Sequence, residues 1–552
     1  MLSYRKLAMR VLGRPLHTGG SDSPRPASQR AAAFALTAAM LITLAAPAFA
    51  GTWHIENGDI TISAGESGND VTQNNVTTKN DTNTIITNEN KDIASSHTVT
   101  IDAGNDKVEV TLEDVNIKAD SGSALISNGD VTLTLKGDNS LTGGISGNGS
   151  GRNGIASSGS LTISGGEKDS LTAQGGNGGD GIYGGDGITS SGSLTISGGT
   201  VTATGGNSTG IAGSGGSGIH SGGDVTISGG TVTATGGDST GSDGSGGYGI
   251  YSSRTTTISS GSTVTANGGS GEDGSGGRGI TSNGGVTVSG GTVNAKGGSG
   301  KNGNGGDGIL SFNPVAISGG TVNANGGNSD YSNGGDGIRS LDHVAISGGT
   351  VKSNGGSGTI SGGCGILSRN GIDLSGSLEL TAKAGKGTQS NGKVLSQNGI
   401  ELELDTIKDK LGPGAKVTAT DADGKVIDQV PIPRPVEPEE SSSSSDGGSA
   451  APSAPVSSIP GLTVTDKDGA VISYTSTQSG NTLTVCVGRF TASLHASLSA
   501  LRQLRAEGIE TIAFQTVLCS TTLSVDELLT MGGEDAEAVL THRLTDSSLT
   551  VG

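Results

Sequence analysis

Apolar and polar positions alternate with a period of two along most of this chain, in short runs separated by glycine pairs. Such alternation predicts strands that bury one edge. The runs recur in register. The dipeptide Gly-Ile returns at Ile155, Ile188, Ile219, Ile250, Ile280, Ile309, Ile338 and Ile366, at spacings of 33, 31, 31, 30, 29, 29 and 28 residues. A serine stands two residues after each isoleucine, from Ser157 to Ser368. A second run reads "VTISGG", with apolar pairs such as Leu194/Ile196, Val225/Ile227 and Val315/Ile317. A third reads "TVTATGG", with pairs such as Val201/Ala203, Val232/Ala234 and Val322/Ala324.

One unit is therefore three short strands, two glycine corners and one Gly-rich loop of variable length. Such a unit cannot bury its apolar edge alone, but stacked units can. The fold class predicted is mainly β: a right-handed parallel β-helix solenoid, the hand following the usual parallel crossover. About ten turns at the strand spacing make a rod on the order of 50 Å. "ISSGSTVTANGG" carries one residue more than "ISGGTVTATGG", and the extra residue falls at a corner, where it leaves the alternation intact. Pro314 opens a strand, where a missing N–H is tolerated. "GGNGGDGIY" fits a calcium-binding nonapeptide once, but a period near thirty differs from a period of nine. The stretch from Gly51 to Ser150 reads as earlier, less regular turns, with Trp53 and its strand as a cap. The last turns fade near Gly412.

The run "VTIDAGNDKVEVTLEDVNIKADSGSALISNGDVTLTLKGDNSLTGG", taken with "SGSLTISGGTVTATGG", resembles the carbohydrate-binding-domain-containing parallel β-helix surface proteins of Gram-positive anaerobes. That family is similar in fold to pectate lyases. The resemblance covers roughly Gly51 to Gly412. It implies binding of acidic and neutral plant polysaccharides and an association with Ca²⁺, and it carries no binding-residue motif onto this chain.

The ends change character. Arg25 and Arg30 precede the apolar run "AAAFALTAAMLITLAA", and "AFA" closes it at Ala50. This reads as a signal peptide with a long n-region over 1–50, cleaved after Ala50, with an uncleaved anchor as the alternative. No second apolar span and no sorting tail are expected, so no transmembrane span survives cleavage. After the solenoid (51–412) come an exit segment (413–430) and a linker (431–461) holding seven of the 13 prolines and a serine run. Residues 462–552 read as a small α+β domain. There "TASLHASLSALRQLRAEG" is predicted as a helix, with Leu494, Leu498, Leu501 and Leu504 on one face and Gly508 as its C-cap.

Composition narrows the function. The chain has 552 residues, 102 of them Gly, with 2% aromatics and a net charge of −19. Ordinary domains carry about 7% Gly. The acidic balance argues against nucleic acid as a partner. Three cysteines make neither a disulfide framework nor a zinc site; Cys486 and Cys519 are close enough in sequence to pair, and Cys364 reads as a buried thiol. No Asp pair lies within a single regular turn, His220 and His343 look isolated, and no nucleophile elbow is present. The chain is read as not an enzyme.

In a solenoid, equivalent positions on successive turns are neighbours. Two residues before each isoleucine stand Asn153, Asp186, Ser217, Tyr248, Arg278, Asp307, Asp336 and Cys364. Asp307 and Asp336 would sit about 5 Å apart and repel unless a cation or Arg278 intervenes. Calcium is thus the one candidate cofactor, with Asp307, Asp336, Asp180 and Asp186 as candidate ligands; the bland alternative has both aspartates facing water beside Arg278. The residue after each isoleucine forms an outward column that includes His220, Tyr251 and Arg339. With Tyr248 and Arg278 these are the candidate ligand-binding residues, the tyrosines for stacking on sugar rings. A file of threonines on the third strand suits β propensity and also matches ice-binding rods. The function expected is a secreted or cell-surface, non-catalytic polysaccharide-binding or adhesion protein, its partner a polysaccharide or cell-surface glycan. A structural stalk presenting the C-terminal domain, or a lyase or hydrolase, are the alternatives.

Overall fold

The computed structural model of the chain describes residues 51–179, 183–210, 212–431 and, in a separate C-terminal unit, 461–466, 469–472, 474–479, 481–487, 491–516, 520–531, 536–542 and 547–551. Residues 1–50, over which a signal peptide is expected, most of the linker, Asp180 and Cys519 lie outside the described residues. The chain divides into two compact units, at Glu437 and Pro438.

The first unit is a parallel β-solenoid of about 14 turns, more than the ten expected, and the segment after Gly412 also pairs in its sheet. The isoleucines stack in register: Ile155 on Ile188, Ile219 on Ile250, Ile280 on Ile309, and Ile338 on Ile366. All are buried with the Leu/Val/Ile file of the second strand and the Val/Ala file of the third. Variation in repeat length is therefore absorbed outside the strands. The inserted residue at Ser259–Gly261 sits at a corner, and Thr263 still pairs Thr231 and Thr292. That corner is a column of left-handed glycines, Gly199, Gly230, Gly261, Gly291, Gly320 and Gly349, with φ between 75° and 83°, a conformation open to glycine at little cost.

The serine that marks each turn has a structural task. Its hydroxyl is buried at the end of the Gly-Ile strand and donates to a corner carbonyl one turn back: Ser190 to Gly159 at 2.8 Å, Ser221 to Gly192 at 2.9 Å, Ser252 to Gly223 at 2.9 Å and Ser368 to Asp342 at 2.7 Å. Each corner carbonyl is thereby satisfied inside the rod.

The Gly-rich loops are not loose. Their outgoing and returning arms interlock as a glycine seam. Gly237 donates to Gly216, Gly247 to Gly237, Gly269 to Gly247, Gly277 to Gly269 and Gly298 to Gly277, all at 2.7–2.9 Å. At the loop tips Gly178, Ser208, Ser239, Gly271, Gly300 and Ser329 bridge one another in parallel.

At the N-terminal end the cap is an antiparallel meander, Ile60–Ala64, Asn69–Gln73 and Val76–Asp81. Trp53 instead belongs to a strand that pairs in parallel with Ile85–Thr87. Its indole N–H donates to Asp81 Oδ2 at 2.9 Å. At the other end Lys416–Thr420 pairs in parallel with Glu379–Lys383, and Val426–Pro431 folds back antiparallel.

Among its described residues the C-terminal unit holds two four-stranded sheets and two short helices. The expected helix from Thr491 is half strand. Ala492–Ser497 alternates buried and half-buried and pairs antiparallel with Leu462–Thr465 and Glu537–His542. Leu494 therefore faces a sheet core rather than a helix stripe: its period is two, not 3.6. The helix proper is Leu498–Ala506, capped by Ser497 Oγ accepting from Ala500 N, with Gly508 just beyond its end at φ 90°. Cys486 Sγ lies 3.3 Å from Gln515 Oε1. Among the described residues no helix is long and apolar enough to cross a membrane.

Candidate functional site

The Gly-Ile strands and the returning glycine arms meet at an angle and enclose a groove of about 460 Å³ that runs along the rod between Ser245 and Leu367. Glycine forms its wall because a Cβ there would collide with the neighbouring turn. At Gly306 it would overlap the Gly277 carbonyl oxygen. The backbone thus stays thin, and the side chains at each turn's entry to the Gly-Ile strand project into the opening.

Tyr248, Arg278, Asp307, Asp336 and Arg339 all line this groove. Arg278 Nε is 3.2 Å from Asp307 Oδ2, and its guanidinium carbon lies 5.9 Å from the Tyr248 ring centre. Tyr248 stacks on Tyr251, with centroids 5.6 Å apart and planes at 21°. Tyr251 meets His220 edge-on at 4.8 Å, and its hydroxyl accepts from Asn283 Nδ2 at 3.0 Å. His220 Nδ1 is 3.4 Å from Asp186 Oδ2. The hydrogen bond to Asp186 raises the His220 pKa above its ordinary value, and burial works against it. So His220 is not isolated: it continues a line of side-chain contacts from Asp186 to Asp307. His343 is not isolated either, with Nε2 3.0 Å from Asp373 Oδ2.

The entry column is tied by aspartate and asparagine side chains. Asp186 N donates to Asn153 Oδ1 at 2.8 Å, Ser217 N to Asp186 Oδ1 at 2.6 Å, Asp336 N to Asp307 Oδ1 at 2.9 Å and Cys364 N to Asp336 Oδ1 at 2.6 Å. Both groove aspartates are therefore deeply buried, Asp307 5% and Asp336 7% exposed. Two buried carboxylates one turn apart resist double ionisation. Arg278 pairs with Asp307. Burial first, and the Asp307 charge second, push the Asp336 carboxyl up to about 7. Burial likewise pushes the Cys364 thiol up to about 12, so it stays neutral.

Calcium takes six to eight oxygens, and this pair offers few. Both Oδ1 atoms accept backbone N–H groups, and Asp307 Oδ2 faces a guanidinium. Asp186 lies four turns before Asp307. Among the described residues no three His, Cys, Asp or Glu side chains converge on one point. Asp186, Asp307 and Asp336 therefore do not by themselves make a Ca²⁺ donor set, and Asp180 lies outside the described residues.

The outward column also differs from expectation. Thr281 and Leu310, in that column, are only 2% and 3% exposed, so the column is not uniformly open to solvent. Sequence columns missed a further row on the groove's rim: Ser245, Ser275, Asn304, Asn333 and Ser361. They stand five residues before successive Gly-Ile isoleucines, a uniform Ser/Asn column that reading the loops as variable had hidden. Asn333 Nδ2 and Ser332 Oγ both reach Asn304 Oδ1, at 3.1 and 2.7 Å.

The class this geometry defines is a parallel β-solenoid with an open polar groove along one face. No family model matches the chain, and neither a curated protein nor a solved structure matches it. The class rests on strand pairing and register alone.

Proposed function

We propose that the rod is a secreted or cell-surface, non-catalytic protein that binds a polysaccharide or cell-surface glycan along this groove. The observation that carries the reading is the shape and chemistry of the groove. It crosses five turns parallel to the rod axis and offers a tyrosine, two arginines, and serine and asparagine rims. An extended polymer of hydroxylated rings suits such a site better than a compact ligand does. Polar rims satisfy hydroxyls, and the amphipathic Tyr248 offers a ring edge beside them. The resemblance to β-helix polysaccharide-binding proteins points the same way. The non-catalytic reading is supported by Asp307, whose two oxygens are committed to the Asp336 N–H and to Arg278. Secretion rests on the sequence of the N-terminal segment.

A stalk that displays the C-terminal unit is the second reading, favoured by the separate packing of that unit. Passing the intact chain over insoluble and acidic polysaccharides, with Ca²⁺ and with chelator, separates the readings. Retention without released product is expected, insensitive to chelator, and weakened by a combined Tyr248→Ala and Arg278→Ala change. Passage through every polysaccharide would favour the stalk. Soluble oligosaccharide in the flow-through would mean an enzyme.

A further inference from the structure

The two groove arginines differ in how they are satisfied. Arg278 donates to Asp307 and lies against Tyr248. Arg339 has a buried Nε with no hydrogen-bond partner. Its nearest carboxylate oxygen, Asp336 Oδ2, is 3.9 Å away, beyond hydrogen-bond reach. A guanidinium stays charged, and its planar fork of donors matches a carboxylate's two oxygens. The Arg339 side chain is 37% exposed in the open groove, with Nη1 3.9 Å from that carboxylate oxygen, so its accessible donors are placed to receive an anion from outside.

The groups facing Asp336 set the charge around it. Asp307 lies one turn before it and Arg339 three residues after it, while Cys364 sits one turn beyond. Glu401 acts on Cys364 from farther along the rod. Resting on the polysaccharide-binding reading, we infer that Arg339 is the groove's anion-binding residue, that it takes the carboxylate of an acidic sugar, and that ionised Asp336 competes with that carboxylate. With Asp336 protonated, two arginines face one carboxylate, and the groove has positive charge to spare. With Asp336 ionised, that excess is gone and an incoming carboxylate meets a like charge. The Asp336 carboxyl, held at about 7, crosses between these states near neutrality. A sugar carboxylate stays ionised throughout that range.

The test is titration calorimetry on the full chain at about pH 5.5 and about pH 8.5, on either side of that value, where a sugar carboxylate is ionised at both. The probes are an oligogalacturonate, a neutral glucan oligomer of matched length, and acetate alone. The oligogalacturonate should bind at least about tenfold more tightly at the lower pH, the scale of one charge-assisted hydrogen bond. The neutral oligomer should show no such difference. Arg339→Gln should remove the preference and Arg339→Lys keep part of it. Asp336→Asn, which retains an acceptor for the Cys364 N–H, should bind the oligogalacturonate equally at both pH values. Equal affinity at both pH values in the unaltered chain, or affinity unmoved by Arg339→Gln, overturns the inference. Binding of the neutral oligomer alone overturns it and leaves the polysaccharide reading standing. Acetate binding as tightly as the oligomer upholds the Arg339 site and overturns the polysaccharide reading. No binding of any probe overturns both.

Discussion

At the scale of single residues, one turn carries a visible flaw. The second strand buries a Val, Leu or Ile at its first inward position, as at Val225 and Val286. Between these two sits Thr256, paired in register with both, fully buried, its hydroxyl without a partner. A buried hydroxyl left unpaired costs about 1–3 kcal/mol. Thr256→Val keeps the shape and removes that cost. It should raise the stability of the solenoid by roughly 1 kcal/mol, measured as the shift in the urea unfolding midpoint at constant slope. A loss of stability would mean the hydroxyl has a partner. The string of residues already marked this turn, because "RTTTIS" breaks the Val/Leu/Ile pattern, but alternation alone cannot tell a tolerated Thr from a strained one. The serines two residues after each isoleucine show the same limit. Their recurrence was legible as register, while their bond to the preceding corner carbonyl appears only once turns are stacked.

At the scale of elements, strands and loops were legible to different degrees. The three strands per turn follow from alternation, and each Ile-on-Ile pairing follows from the repeat. The loops read as spacers because glycine carries no side-chain pattern. Their seam depends on what is missing: each arm passes so close to the next turn that only a hydrogen fits at Cα. At Gly269 a Cβ would overlap the Gly237 carbonyl oxygen. Gly269→Ala should destabilise the solenoid by roughly 1–3 kcal/mol, the usual cost of overpacking. Gly122→Ala, with nothing within 4 Å of the added carbon, should leave stability nearly unchanged. Equal unfolding midpoints for the two variants would contradict the seam. In the C-terminal unit the error ran the other way. The leucines from 494 to 504 fit a helical stripe, but Ala492, Leu494 and Ala496 fit a strand as well, and pairing with Leu462–Thr465 decided between them. Short amphipathic runs are ambiguous until a partner strand is known.

At the scale of the whole molecule, the rod converts sequence columns into a surface. Tyr248, Arg278, Asp307 and Asp336 are about thirty residues apart along the chain, yet they form one continuous line because each turn repeats the last. That much of the site was legible from columns. The depth of the groove was not. It depends on the glycine arms beside the Gly-Ile strands, and burial in the same place raises the Asp336 carboxyl. The placement of the glycan on this face is the central claim, and amide hydrogen exchange of the intact chain, with and without a retained polysaccharide, tests it most directly. Slowed exchange is predicted in the Gly-Ile strands and returning arms between Ser245 and Leu367, with the third-strand threonine face and the C-terminal unit unchanged. Protection on the threonine face or in the C-terminal unit, with none along the groove, would contradict it.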